Sequence, residues 1–180
     1  TNPAQASEEV GELLKGKNKK NVDLVTSVAH VYLDAGKLTE AQEYLAMAKK
    51  ANNKDPKVSV LEGDIALAQK NIGQACQLYE QAIYFDPNCK EAYLKYAQAY
   101  KSASPALAIE KLEQLKAVDP NCLEADRELA EVYYSSNRFG KAAEMYAKFI
   151  DTPLATEDDM LKYAFALFLN HDFEKSLQVA

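Results

Sequence analysis

Small residues recur in this chain at a fixed interval, and that recurrence restricts the fold more than any other property of the sequence. Ala41, Ala75, Ala108, Ala142 and Ser176 are separated by 34, 33, 34 and 34 residues. A second series, Ala29, Gly63, Ala97, Ala130 and Ala164, precedes them by eleven or twelve residues. Three positions after each member of that series stand Tyr32, Ala66, Tyr100, Tyr133 and Leu167, and a hydrophobic anchor (Leu38, Ile72, Phe139 or Phe173) lies just before four of the markers. A small side chain lets two helices approach closely, and larger neighbours fill the space beside it. Two small positions per period therefore predict one helix pair per period, crossing at the same place each time.

Composition supports helices. Gly and Pro number only six each, too few for the turns of an all-β chain, and 48% of the residues are hydrophobic, enough for a core. The segments "DAGKLTEA", "AQKNIGQA", "SSNRFGKA" and "LNHDFEKS" put a Gly, an Asn or a His/Asp cluster where each pair reverses, as left-handed or capping geometry requires. Thr39 and Ser104 are expected to cap second helices, with Pro105 at a first helical position, and Thr156 with Asp159 to open the last first helix. The spacing predicts helix pairs at 22–35/39–52, 56–69/73–85, 89–102/105–117, 122–135/139–151 and 156–170/173–180.

"DPNC" occurs at 86–89 and again at 119–122. Pro87 and Pro120 end one helix, and the flanking Asp and Asn offer capping oxygens for the next. Cys89 and Cys122 then fall near a helix N-terminus, which can lower a thiol pKa. Equivalent points of successive units should lie about 8–10 Å apart, beyond the roughly 7 Å that a disulfide spans, so no Cys89–Cys122 bond is expected.

The small–tyrosine–alanine–aromatic–proline pattern, best seen in Gly63, Ala75, Tyr79, Ala82 and Pro87, resembles the tetratricopeptide repeat family. The resemblance covers Val22 to Ala180 and most resembles bacterial members. It departs from the family in lacking the early tryptophan, in a third inter-helix turn one residue short ("YKSASPAL"), and in Pro153 falling one residue early. It implies an all-α, right-handed α-α superhelical solenoid of antiparallel helix pairs. The array would run over 21–180 in about five units, 22–55, 56–88, 89–121, 122–155 and 156–180, the last stopping inside a helix. Residues 1–20 would hold an isolated amphipathic helix, the second helix of a preceding repeat or an N-terminal cap. Both ends thus carry the expectation of a longer protein.

No chemistry declares itself. The two histidines, His30 and His171, have no partner at metal-ligand spacing, and no phosphate-binding loop or nucleophile elbow is present. The expectation is no catalytic residue, no cofactor and no metal. A net charge of −6 argues against nucleic acid as a partner, and no apolar run approaches a membrane span.

The resemblance implies a scaffold that binds a partner protein segment along the concave face lined by first helices. By register the candidate groove residues are Thr26, His30, Leu61, Asp64, Lys95, Gln98, Arg127, Glu131, Lys162 and Phe165, with Tyr134 one helical step further round. Ser27, Val60, Leu94, Glu128 and Leu161 share those faces. Tyr32, Tyr79, Tyr100, Tyr133 and Tyr146 are expected to pack helices together instead. The pattern of lysines and asparagines that clamps a chaperone tail is missing: its positions read Thr26, His30, Leu61, Glu91 and Lys95. The mixed groove points to a partner with basic and apolar character. The alternative is an assembly module of a larger protein, self-associating or accessory to an enzyme outside these residues. The style of the repeats leans to the bacterial periplasm or cell envelope over the cytoplasm.

Overall fold

The structure, a computed structural model, describes residues 12–179. Ten α-helices carry the described chain: α1 (Val22–Asp34), α2 (Leu38–Asn52), α3 (Pro56–Ala68), α4 (Ile72–Phe85), α5 (Lys90–Tyr100), α6 (Pro105–Val118), α7 (Leu123–Ser135), α8 (Phe139–Tyr146), α9 (Glu157–Leu169) and α10 (Phe173–Val179). The helix expected within residues 1–20 lies mostly outside the described residues. Of its described part Glu12 and Leu13 are helical, and Gly16–Lys20 beyond them forms a 3-10 helix. The chain divides into two compact units, residues 1–92 and 93–180.

In the first unit α1 packs on α2 and α3 on α4, and α3 also touches both helices of the preceding pair. Leu14, Val25, Ala29, Ala41, Leu45, Ala48, Val58, Leu61 and Ile65 form one buried cluster. In the second unit α7 packs on α8 and α9 on α10, with α6 against α7 and α8 against α9. The recurring small residues mark the closest approaches. Ala29, Ala41, Ala75, Ala97, Ala108, Ala130 and Ala142 are fully inaccessible. At Gly63 even a methyl group has no room, because an added Cβ would stand 2.5 Å from Cε1 of the fully buried Tyr79. Ser176, the one marker that is not alanine, donates its hydroxyl to the Ala164 carbonyl at 3.0 Å.

Four of the five turns inside the pairs share one geometry, the exception being the turn between α5 and α6, where the Ser104 N–H bonds the Tyr100 carbonyl at 2.7 Å. Gly36, Lys70, Asn137 and His171 all have φ between 58° and 71°. Each is followed by a residue whose N–H reaches five positions back: Lys37 to Tyr32, Asn71 to Ala66, Arg138 to Tyr133 and Asp172 to Leu167, at 2.8–2.9 Å. This is the Schellman arrangement, which satisfies carbonyls orphaned at a helix end. In "AQKNIGQA" it is Lys70 that turns left-handed. Asn71 instead caps α4, accepting from the Gln74 N–H at 3.2 Å. The same turn starts α2 at Leu38, so Thr39 lies inside the helix and does not cap it. Ser104 holds the N-cap position of α6 without a side-chain cap bond, and Pro105 takes the first helical position as expected.

Two further expectations change. α8 ends at Tyr146, five residues short of 151. Beyond it Lys148 and Phe149 bond only three residues back, at 3.1 Å, and the Thr152 hydroxyl takes the Phe149 carbonyl at 2.6 Å, ahead of Pro153. The Cys89 thiol is not made more acidic by the start of α5. Burial pushes its pKa up, outweighing the lowering effect of the Ala92 backbone N–H. None of Cys76, Cys89 and Cys122 is in a disulfide.

The start of α9 is held by a buried carboxylate. Asp159 is 1% exposed. Its Oδ2 accepts from the Thr156 N–H at 2.8 Å, while its own N–H donates to the Thr156 hydroxyl oxygen at 3.3 Å, a capping box. Arg127 of α7 grips both oxygens, Nε to Oδ1 at 3.1 Å and Nη2 to Oδ2 at 2.9 Å. Burial alone would raise the Asp159 pKa, but the bonds from Thr156 and Arg127 prevail and hold it below the usual carboxylate range.

Two measurements follow from this packing. Gly63→Ala forces Tyr79 or the helix pair apart and is expected to cost about 1–3 kcal/mol, read as a lower urea midpoint with an unchanged slope. Asp159→Asn keeps the shape and loses the charge, with an expected cost of about 1.5–3 kcal/mol at pH 7. The native carboxyl is the stronger acid, so its contribution is complete above the unfolded value of about 3.9. It vanishes as pH falls through the lower native value. The stability gap between wild type and Asp159→Asn, followed by denaturation at a series of pH values, should therefore close below about pH 4.

Candidate functional site

The first helices of both units carry the expected groove residues, and the structure joins many of them in pairs. In the first unit His30 on α1 lies with Nε2 3.0 Å from Asp64 Oδ2 on α3, and its Nδ1 is 3.0 Å from the Thr26 carbonyl. Asp64 Oδ1 accepts from the Tyr79 hydroxyl at 2.7 Å. Burial first, then the charge and hydrogen bond of Asp64, push the Tyr79 phenol far above its ordinary pKa, so it stays a donor. One helical turn or more away, Lys57 reaches Asp23 at 2.5 Å. That hydrogen bond, against partial desolvation, raises the lysine pKa.

Asp23, Thr26, Ser27, His30, Lys57, Val60 and Glu91 line a polar concavity of about 250 Å³. The Thr26 hydroxyl is turned inward and donates to the Val22 carbonyl at 2.9 Å, and Ser27 donates to the Asp23 carbonyl at 2.7 Å. Leu61 is a correction. It is 0% exposed and belongs to the core cluster, because α3 is covered by its own partner α4 and by both helices of the preceding pair. No partner can reach it.

The second unit repeats the theme. Lys162 on α9 bonds both oxygens of Glu131 on α7, at 2.9 and 3.0 Å, and also meets Asp158 at 2.7 Å. Desolvation lowers the Lys162 pKa, but the bonds to Asp158 and Glu131 win, and it is raised. Tyr146 donates to Glu131 Oε1 at 2.8 Å, as Tyr79 does to Asp64, and burial with that bond likewise lifts its pKa far above the ordinary value. Gln98 on α5 donates to Glu128 Oε1 at 2.7 Å. The other oxygen, Glu128 Oε2, is buried and has no hydrogen-bond partner among the described residues. Lys95 sits half-buried on the same helix. Tyr134 is not a free groove residue, because its ring packs edge-on to Phe139 and Tyr146 of α8.

Phe165 lies in an exposed apolar row. Leu161, Phe165 and Phe168 are 60, 57 and 53% exposed along one side of α9. With Ala164 and Ser176 they line an apolar pocket of about 290 Å³.

The pairs join residues 30 to 34 positions apart, and sequence reasoning had treated them singly. The signal was present: Asp23 and Lys57, Arg127 and Asp159, Glu131 and Lys162 are opposite charges about one repeat apart. Asp126 was missed altogether. It is 1% exposed, and Lys116 at 2.7 Å and Lys148 at 3.2 Å, from α6 and from just beyond α8, neutralise it.

Among the described residues no helix is long and apolar enough to cross a membrane. No curated protein sequence matches the chain. Solved structures do. The crystal structure of PilW, a widely conserved type IV pilus biogenesis factor, superposes with a TM-score of 0.79 over 98% of this chain and 82% of its own, at 18% identity. PilF of Pseudomonas aeruginosa gives 0.76 over 98% and 80%, at 17% identity. YrrB, described as a TPR protein with an unusual peptide-binding site, gives 0.65 over 94% and 88%, at 14% identity. At these identities the likeness speaks for the fold, an all-helical superhelical solenoid of the tetratricopeptide type. The family model of the tetratricopeptide repeat matches residues 29–88 and 98–155, well over half of the chain, and the chain belongs to the tetratricopeptide repeat family.

Proposed function

We propose that the protein is a non-catalytic scaffold that binds a partner protein segment on its first helices, with α9 as the apolar anchor point. The observation that carries this reading is the exposed row Leu161, Phe165 and Phe168 around a pocket of about 290 Å³. A row of large apolar side chains at helical spacing on an interaction surface takes up an aromatic or aliphatic anchor from the partner. On α7 the buried and unmatched Glu128 Oε2 favours a donor from that partner, a Lys or Arg, since an unsatisfied buried carboxylate oxygen is costly. The partner is therefore an extended or helical segment carrying an apolar residue and a basic one. Thr26, His30, Asp64, Gln98, Arg127, Glu131 and Lys162 shape the face mainly by pairing with their neighbours, and the half-buried Lys95 lies on the same side. YrrB, with its peptide-binding site, is a precedent for the fold in such a role. The envelope setting read from the sequence is in keeping with the pilus-biogenesis role of PilW.

The same apolar row also suits homotypic association. In that case light scattering would show a mass that rises with concentration and returns to monomer in Phe165→Asp.

Selection of displayed random peptides on the purified chain tests the main reading. Enriched peptides should combine an aromatic or aliphatic residue with Lys or Arg. Phe165→Asp should weaken them by about 30–100-fold, the loss of one buried anchor of about 2–3 kcal/mol, with unchanged helical circular dichroism. Glu128→Gln should weaken those with a basic residue more than those without. Peptides that bind the Phe165→Asp chain as tightly as wild type would refute it.

A further inference from the structure

We propose that His30, Asp64 and Glu91 form a binding site for a divalent transition-metal ion of the Zn2+ class. These three residues come from α1, α3 and α5, and each offers a ligand atom within 4.8 Å of the others. The His30 Nε2 to Asp64 Oδ2 separation is 3.0 Å. Donor atoms sharing a metal at about 2.0–2.2 Å lie roughly 3–3.6 Å apart, so this pair already has close to the spacing of a coordination edge. Glu91 is exposed and on the first turn of its helix, so a side-chain rotation completes the approach.

The surroundings are those of a ligand set. The Thr26 carbonyl lies 3.0 Å from His30 Nδ1 and takes the proton there, which turns the Nε2 lone pair toward Asp64 in the neutral ring. The Tyr79 hydroxyl fixes Asp64 by its other oxygen, at 2.7 Å. Metal-bound histidines and carboxylates are oriented by outer hydrogen bonds of this kind. With one ring nitrogen committed to a carbonyl, the other faces a carboxylate. That contact is favourable with a proton on Nε2, or with a cation between the two groups. Lys57, the nearby cation lining the same concavity, is bonded to Asp23 at 2.5 Å and also feels the charge of Glu91. The concavity, about 250 Å³ and polar, gives an ion access and room for a water as fourth ligand.

One imidazole and two carboxylates select the metal. All-oxygen coordination suits Mg2+ and Ca2+, whereas a nitrogen donor shifts preference to the later first-row ions. All three residues lie within the first unit, and a bound ion would link α1, α3 and the first turn of α5. The site rests on that unit alone and does not depend on the peptide reading above.

Titration of the reduced chain with ZnCl2, by calorimetry and by thermal midpoint, tests it. One equivalent should bind and raise the midpoint, and MgCl2 at the same concentration should not. Glu91→Gln, at an exposed position, and His30→Gln should each weaken Zn2+ by at least about tenfold. His171→Ala and Cys89→Ser, which remove a turn histidine and a neighbouring thiol, should leave it unchanged. Co2+ should give a ligand-field spectrum without a thiolate charge-transfer band. Absence of Zn2+ binding would mean that His30 simply carries a proton against Asp64, and the proposal would fall. Equal binding by wild type, Glu91→Gln and His30→Gln, or a thiolate band with Co2+, would also overturn it.

Discussion

Close approach of helices at small residues is the constraint on which the rest depends. Where Gly63 meets the ring of Tyr79, the two helices of a pair are as near as backbone and aromatic ring allow. That closeness puts the Tyr79 hydroxyl on Asp64, which in turn meets His30 of the preceding pair. The second unit uses the same device, with Ala130 fully buried and Tyr146 reaching Glu131, which is held by Lys162. A packing tyrosine thus sets the position of an acid on the neighbouring helix, and the acid ties one pair to the next. Larger residues at the small positions would withdraw the ring and loosen both links together.

This chain of contacts changes how the charged face should be understood. A row of Asp, Glu, Lys and Arg along first helices suggests many independent docking points. Most of those charges are already spoken for by residues about one repeat away, and ion pairs of that kind, half-exposed, contribute modestly to stability. What they do is quiet the surface. Among the described residues the structure leaves the apolar row of α9 exposed, one oxygen of Glu128 without a hydrogen-bond partner, and His30, Asp64 and Glu91 close together.

The fold was readable because its information is repeated. Any one unit is ambiguous, but small residues in register at 33- or 34-residue intervals fix the helices to within a residue or two almost everywhere. Errors fell where a local interaction set a helix end. The Thr152 hydroxyl and Pro153 stop α8 early, and Thr39 lost its capping role to the turn at Gly36. Site residues were less legible. A register argument assigns a face but not a depth, so it placed the inaccessible Leu61 beside the open Phe165. It also treated the repeat tyrosines as packing alone, since nothing in the spacing shows where a hydroxyl ends. Cys89 fared similarly, because nearness to a helix start is visible in sequence and burial is not.

The left-handed turns have a different kind of consequence. Gly36, Lys70, Asn137 and His171 share one backbone shape and almost nothing else. Non-glycine residues pay roughly 1 kcal/mol to adopt it, and the hydrogen bonds across each turn offset that strain. All four positions are exposed, and of the side chains only the His171 ring makes a ring contact, edge-on to Phe173 of α10. The exposed Lys70 is thereby a natural attachment point: a fluorophore or surface tether at position 70 would report on the chain while leaving its first helices untouched.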